Sequence, residues 1–227
     1  MTAPDLARLA ALLADGTRAS FCLSLLDGRA WTAGELARSA GVAASTATEH
    51  LNQLITGGLL VEHRQGRHRY VRLADTRTAE LIETMAAHIP SSPTPVKTLK
   101  AATVADALAS GRTCYDHLAG RLGVRVTTAM VDRGLLGGEG GFSLTDPGAR
   151  WLTGLGIDVE SLRQARRPFV RECVDWTERR PHLAGGVGAA VCGHFFDAGW
   201  ITRTGTHRAV KLTAPGRQAL REELGIT

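Results

Sequence analysis

The sequence predicts a mainly α-helical fold carrying small β-hairpins, α+β in class, from three observations. Residues Val42–Ala74 read as a polar-faced helix, a Gly57-Gly58 stop and an arginine-rich two-stranded ribbon. The stretch Ile89–Val96, IPSSPTPV, then carries three prolines, through which a helix cannot run. Beyond it, residues 117–136 and 182–201 align without a gap. A helix followed by a basic hairpin is the arrangement of a winged helix-turn-helix, and each repeat reads as a further winged-helix-like unit.

Composition narrows the class before any motif is used. At 227 residues, with 44% hydrophobic and 22% charged residues, the chain suits ordinary globular domains and neither disordered nor fibrous classes. No apolar run approaches the roughly 18–20 residues of a membrane helix. The acidic residues within MTAPDLARLAALLADGTRAS do not fit a secretory signal, so a cytoplasmic protein is expected. In that compartment Cys22, Cys114, Cys173 and Cys192 are expected as thiols. The net charge is +5 and the isoelectric point near 9.4, which permits a polyanionic partner without establishing one. Of 27 basic residues only Lys97, Lys100 and Lys211 are lysines, leaving 24 arginines. Phosphate recognition and a GC-rich genome both produce that skew, the genome more simply.

Taken in order, Asp5–Ala14 and Thr17–Leu26 repeat apolar residues at helical spacing and break at Asp15-Gly16. Cys22 lies on the apolar set and is expected as a buried, inert thiol. Thr32 and Glu35 match a capping box opening a helix at Ala33–Ser39, and Ala40-Gly41-Val42 turns into the next helix. There Ala47, Leu51, Leu54 and Ile55 share one face, while Ser45, Thr46, Thr48, Glu49, Asn52 and Gln53 carry hydrogen-bonding groups on the other. Gly57 and Gly58 stop it. A strand from Leu59, a tip at Arg64–His68 and a return along Arg69–Arg72 complete the wing.

Residues 5–89 resemble the arsenic-repressor (ArsR/SmtB) type of winged helix-turn-helix regulator. The matching pieces are LADGTRASFCLSLL, then TAGELARSAGVAASTATEHLNQLITGGLLVEHRQGRHRYVRLA and the helix after it. The resemblance implies a homodimer, often clasped by its first and last helices, that represses transcription until an effector releases the DNA. It puts Ser45, Thr46, Thr48, Glu49 and His50 at the DNA-facing start of the recognition helix. His50, next to core Leu51, either packs or touches phosphate, and Glu49 either accepts from a cytosine amino group or stays a solvated charge. Arg64, Arg67, His68 and Arg69 would place charge on phosphates or in the minor groove. Residues 1–89 hold nine arginines and nine acidic residues, so affinity would rest on segment 62–72, with four arginines and one glutamate. The metal ligands usual in the family are missing. ELARSAGV has no thiol, and Asp75–His88 offers Asp75, Glu80, Glu83 and His88 without paired histidines.

The expected domains are a DNA-binding unit at 1–89, a linker at 90–96 and a C-terminal sensor or assembly domain at 97–227, with repeats at about 99–157 and 165–227. Both repeats share His117/His182 through Gly134/Gly199 and then a Leu-Thr-x-Pro-Gly turn, whose Thr caps a helix and whose Pro enters its first turn. Each reads helix–helix–hairpin–helix. Arg203, His207, Arg208 and Lys211 surround the second hairpin, but Glu139 and glycines occupy the first, and neither repeat has a polar recognition face. A scaffold or sensor role follows. Cys114 and His117, C-x-x-H, and Cys173 and His182 precede or open equivalent segments, and the fold would bring them together if the repeats pack on each other. Two thiolates and two imidazoles suit zinc or another thiophilic metal. The second spacing, C-x8-H, is not that of a standard zinc motif, so capping histidines and core thiols remain the simpler reading, with redox sensing or a small effector as further alternatives. Cys192 with His194, and Trp151, Trp176 and Trp200, are expected as packing groups.

The sequence reading is thus a dimeric DNA-binding repressor, not an enzyme, with double-stranded DNA as partner and an effector, metal or redox signal at the C-terminal domain. A Cys/His-dependent enzyme and a winged-helix interaction module are the alternatives. No phosphate-binding glycine loop, nucleophile elbow or metalloprotease helix supports the enzyme.

Overall fold

The computed structural model describes residues 2–66, 68–89, 99–138, 140–204 and 208–226, with the side chains of 99–101 excepted. The expected 90–96 linker, Arg67, Glu139 and His207 lie outside the described residues. The chain divides into two compact units, Met1–Glu83 and Thr84–Thr227.

The first unit runs α1 (Ala3–Leu13), α2 (Gly16–Leu25), β1 (Trp31–Thr32), α3 (Ala33–Ala40), α4 (Ala44–Thr56), β2 (Leu60–Gln65), β3 (His68–Leu73) and the start of α5 (Thr76–His88). Local chemistry sets the boundaries. The Asp15 carboxylate accepts the Arg18 amide at 2.9 Å and caps α2. The amide of Thr32 donates to Glu35 at 2.8 Å and the amide of Glu35 returns to the Thr32 hydroxyl at 3.3 Å, the reciprocal box expected for α3. Gly58, at φ +77°, takes the left-handed turn that releases the chain from α4 into the wing. Phe21, Leu25, Leu36, Leu51, Leu54, Val71 and Leu73 form the core, each at most 1% exposed. Two details differ from expectation. The wing strands continue to Gln65 and His68, which pair directly, so the tip is shorter than Arg64–His68. β1 adds a third strand, order β1-β3-β2. Two residues are too few to show strand alternation in sequence.

The second unit contains the end of α5, α6 (Leu99–Ser110), β4 (Arg112–Cys114), β5 (His117–Ala119), α7 (Gly120–Asp132), β6 (Leu136–Gly137), β7 (Ser143–Leu144) and α8 (Asp146–Gly154). It continues with α9 (Val159–Gln164), β8 (Arg171–Val174), β9 (Pro181–Ala184), α10 (Gly185–Asp197), β10 (Ile201–Arg203), β11 (Val210–Leu212) and α11 (Ala214–Leu224). Each repeat therefore has the expected helix, helix, hairpin, helix, with one further hairpin between the first two helices. The His-Leu-Ala segments, which read as helix starts, are the second strands of those added hairpins. Gly120 and Gly185 explain the change: both sit at positive φ, +72° and +80°, where strand turns into helix. A Cβ there would lie 2.8 Å from the carbonyl of Ala109 or Pro168.

The shared Leu-Thr-x-Pro-Gly turns behave as expected. The Thr145 and Thr213 hydroxyls accept the amides of Gly148 and Gly216 at 3.1 and 3.0 Å. One core serves both repeats, with Leu118, Met130, Leu152, Leu183, Phe195 and Leu220 buried together and Trp151 and Trp200 packed on it. The Trp151 indole also donates to Glu223 at 2.8 Å.

Candidate DNA interface and a buried cysteine–histidine cluster

The helical period of α4 buries Ala47, Leu51 and Leu54 and leaves Ser45, Thr48, Glu49 and Asn52 exposed, with Thr46 half-buried. The Thr48 hydroxyl donates to Ala44 O at 2.9 Å, leaving its oxygen lone pairs to accept. His50 points elsewhere. Its ring is 17% exposed, 3.7 Å from Asp15 and 3.4 Å from Arg18, in a polar cluster that holds α2 to α4. Gln53 joins it by accepting from Arg18 at 2.5 Å. On the wing, Arg64 and His68 are exposed. Arg69 instead donates to Asn52 and Glu62, both at 2.8 Å, and so braces the wing against α4.

The second unit brings Cys114, His117, Cys173 and His182 together. Their ligand atoms all lie within 4.8 Å of one another, and all four residues are buried. Strand register does this. Cys114 pairs with His117 across β4–β5, and Cys173 with His182 across β8–β9, so each hairpin presents one thiol and one imidazole on the same face. The two spacings differ only in the loop between the strands, and the ladder positions are equivalent. The imidazoles stack with centroids 5.1 Å apart and planes 25° apart. Gly188 on α10 allows a close approach to the second hairpin, since a Cβ there would lie 2.5 Å from Leu183 O, whereas His117 Cβ, at 3.4 Å, is at ordinary contact distance. The histidines are thus strand residues facing a shared centre, not the helix caps of the simpler sequence reading.

Charge is organised around the cluster. A hydrogen bond from Cys114 dominates the Cys173 thiol; with those of His117 and His182 it outweighs burial and holds Cys173 well below the ordinary thiol range. Burial lowers the His182 imidazole from its ordinary value, against the Cys173 hydrogen bond that raises it. Two carboxylates stand behind the imidazoles. Asp116 lies 3.3 Å from His117 Nδ1 and accepts from Arg167 at 2.7 Å. Asp175 lies 3.9 Å from His182 Nδ1 and accepts from Arg112 at 2.8 Å, the Gly120 amide at 2.7 Å and the Thr177 hydroxyl at 2.6 Å. Burial would raise both acids, but these donors outweigh it and both titrate below the usual carboxylate range. Trp176 covers the Arg112 guanidinium at 4.6 Å.

Sequence reasoning missed this outer layer, although a signal existed. Arg112-Thr113-Cys114-Tyr115-Asp116 and Arg171-Glu172-Cys173-Val174-Asp175 repeat an R-x-C-x-D pattern ahead of each histidine. The other sulfur sites match expectation: Cys22 and Cys192 are free and buried in packing positions. His194 meets Trp200 edge-on at 5.1 Å. His88 Nδ1 donates to Thr84 O, 2.8 Å away, at the exposed end of α5.

Helix, glycine turn, polar helix and basic wing define the DNA-binding domain of a transcriptional regulator, and the comparisons agree. A helix-turn-helix domain family matches residues 13–64. The uncharacterized HTH-type transcriptional regulator YdfF of Bacillus subtilis is 40% identical over 224 residues, 98% of each chain. The chain belongs to the HTH-type transcriptional regulators. The HTH-type regulator CmtR of Mycobacterium tuberculosis is 39% identical over 77 residues, 34% of this chain and 64% of that one. Among solved structures, the homodimeric winged helix-turn-helix fragment of Mb0332 from Mycobacterium bovis is 30% identical, covering 36% of this chain and 75% of its own, at a TM-score of 0.34. No described helix is long and apolar enough to cross a membrane.

Proposed function

We propose that the protein is a cytoplasmic, homodimeric repressor that reads operator DNA with α4 and the wing and takes its releasing signal at the Cys/His cluster of the second unit. The observation that carries the DNA half is the joint presentation of Ser45, Thr48 and Glu49 on α4 with Arg64 and His68 on the wing. Base edges are read by the first group and phosphates by the second. Arg69 and His50 act through position, one bracing the wing and the other packing α4 on α2. The exposed apolar side chains of Leu6 on α1 and of Met85 and Ile89 at the end of α5 suit the clasp that the family implies.

Control from the second unit is supported by Arg179, in the loop between Cys173 and His182. It donates to the carbonyls of Ala87 and Ile89 at 2.7 and 2.6 Å, gripping the end of α5. That helix begins directly after β3 of the wing. A non-enzymatic role is part of this reading, supported by the burial of all four cluster residues.

The test is duplex binding by the full chain, first selecting a preferred sequence from a random pool and then titrating salt. Affinity should fall linearly on log axes as salt rises. Arg64→Ala should weaken every sequence alike and reduce the salt slope by about one, whereas Glu49→Ala should change base preference. Salt-insensitive binding, or selection of no sequence, would overturn the reading.

A further inference from the structure

We propose that Cys114, His117, Cys173 and His182 bind one thiophilic divalent cation of the zinc class in a closed tetrahedral S2N2 site that fastens the two repeat hairpins to each other. The proposal names the ligand of the control site inferred above, and rests on that reading only for its effect on DNA.

Donor type, number and geometry all meet the requirement. Two sulfurs and two imidazole nitrogens are a structural zinc set, with bonds of about 2.3 Å to sulfur and about 2.0 Å to nitrogen. Those lengths place ligand atoms roughly 3.3–3.8 Å apart around a tetrahedron. The present separations, none above 4.8 Å, need a contraction of about 1–1.5 Å at most. The site is not one hairpin's property: each contributes one sulfur and one nitrogen from matching register positions, so an ion at the centre bridges the repeats.

The surroundings point to an ion independently of the spacing. His182 is fully buried, and neither ring nitrogen makes a hydrogen bond of normal geometry. The Cys173 sulfur beside it is a weak partner for a buried imidazole, a cost that an ion at Nε2 would recover. Behind each ring stands a carboxylate on the Nδ1 side, Asp116 for His117 and Asp175 for His182. For His117, at 3.3 Å, that is the outer partner that fixes a ligating tautomer and turns Nε2 inward, while Asp175, at 3.9 Å, stands near His182 without hydrogen-bonding its ring. Arg167 and Arg112 anchor these acids in turn, so the orientation is built before any ion arrives. All four ligands are closed off from solvent, which leaves no open coordination position and sets the site apart from a catalytic one.

The experiment uses the reduced full chain, stripped with a chelator and titrated with zinc or cobalt(II) alone. The expected result is one ion per chain, with cobalt showing the intense d–d bands of a tetrahedral site and thiolate charge transfer, both displaced by zinc. Cys173→Ser should abolish the charge-transfer signature or shift it to that of a single thiolate. Because that variant leaves a strained core, Asp116→Asn provides a second reading: the ligands remain, and affinity should fall about 10–100-fold. Cys192→Ser, a buried thiol outside the cluster, should bind normally. Sub-stoichiometric metal with no tetrahedral cobalt spectrum in the reduced wild type overturns the proposal, as does a Cys114–Cys173 disulfide in the isolated protein that takes up no metal once reduced. Stoichiometric metal whose removal leaves operator affinity unchanged would retain the ion as structural and defeat only its role in control.

Discussion

At the scale of single residues, neighbours rather than residue type decide what each thiol does. Burial pushes Cys22 to about 12 despite nearby Arg18. Burial, reinforced by Asp116, does the same to Cys192, also to about 12. Both should resist iodoacetamide in the native protein at neutral pH and react only after denaturation, a difference that peptide mass spectrometry reads directly. Rapid native labelling of Cys22 would show that α2 opens. Close approach decides the glycines in the same local way. A Cβ on Gly216 would sit 1.9 Å from Trp200 O, and one on Gly148 2.0 Å from Leu135 O. Each Gly→Ala change should cost about 1–3 kcal/mol, measured as a lower urea midpoint. A neutral result would mean that the turn relaxes without loss of packing.

At the scale of elements, the reciprocal Thr32–Glu35 box is the most accessible test of how local chemistry fixes a boundary. Thr32→Ala should destabilise the first unit by about 1 kcal/mol. The backbone hydrogen bond from Thr32, followed by its hydroxyl, holds the Glu35 carboxyl below its ordinary value. A depressed folded value means that the contribution is present above the unfolded value of about 4.3 and is lost as pH falls through the lower, folded one. The gap between wild type and Thr32→Ala should therefore narrow in acid; a gap that widens below about pH 4 would contradict the cap. Helices with clear caps and apolar stripes were legible in this way: α3 and α4 fall close to their expected limits. The hairpins β4–β5 and β8–β9 were not. Their strands are three and four residues long, and His-Leu-Ala-Gly carries no alternation that separates a strand end from a helix start.

At the scale of the whole molecule, α5 is shared by both units, with its last turn held by Arg179 from the loop beside the cluster. Arg179→Ala leaves α4 and the wing untouched, so basal operator binding and its salt slope should persist. The ratio of operator affinities between zinc-loaded and stripped protein should fall toward one, from a coupling typically of about 5–150-fold. An undiminished ratio would remove Arg179 from the control route. The sequence by itself determined the winged helix-turn-helix, because caps, a glycine stop, a polar helix face and a cluster of arginines are local signals within one stretch of chain. It also determined that the second half is duplicated, and it offered Cys114, His117, Cys173 and His182 as one set among several readings. Only the tertiary structure brought those four within 4.8 Å of one another, placed Asp116 and Asp175 behind the imidazoles, and turned Arg69 and His50 inward. The physical reason is that spacing along a chain reports ligand geometry only when the intervening loop is fixed. Here the strand register does the positioning, and a loop can lengthen from C-x-x-H to C-x8-H without moving the residues that face the centre.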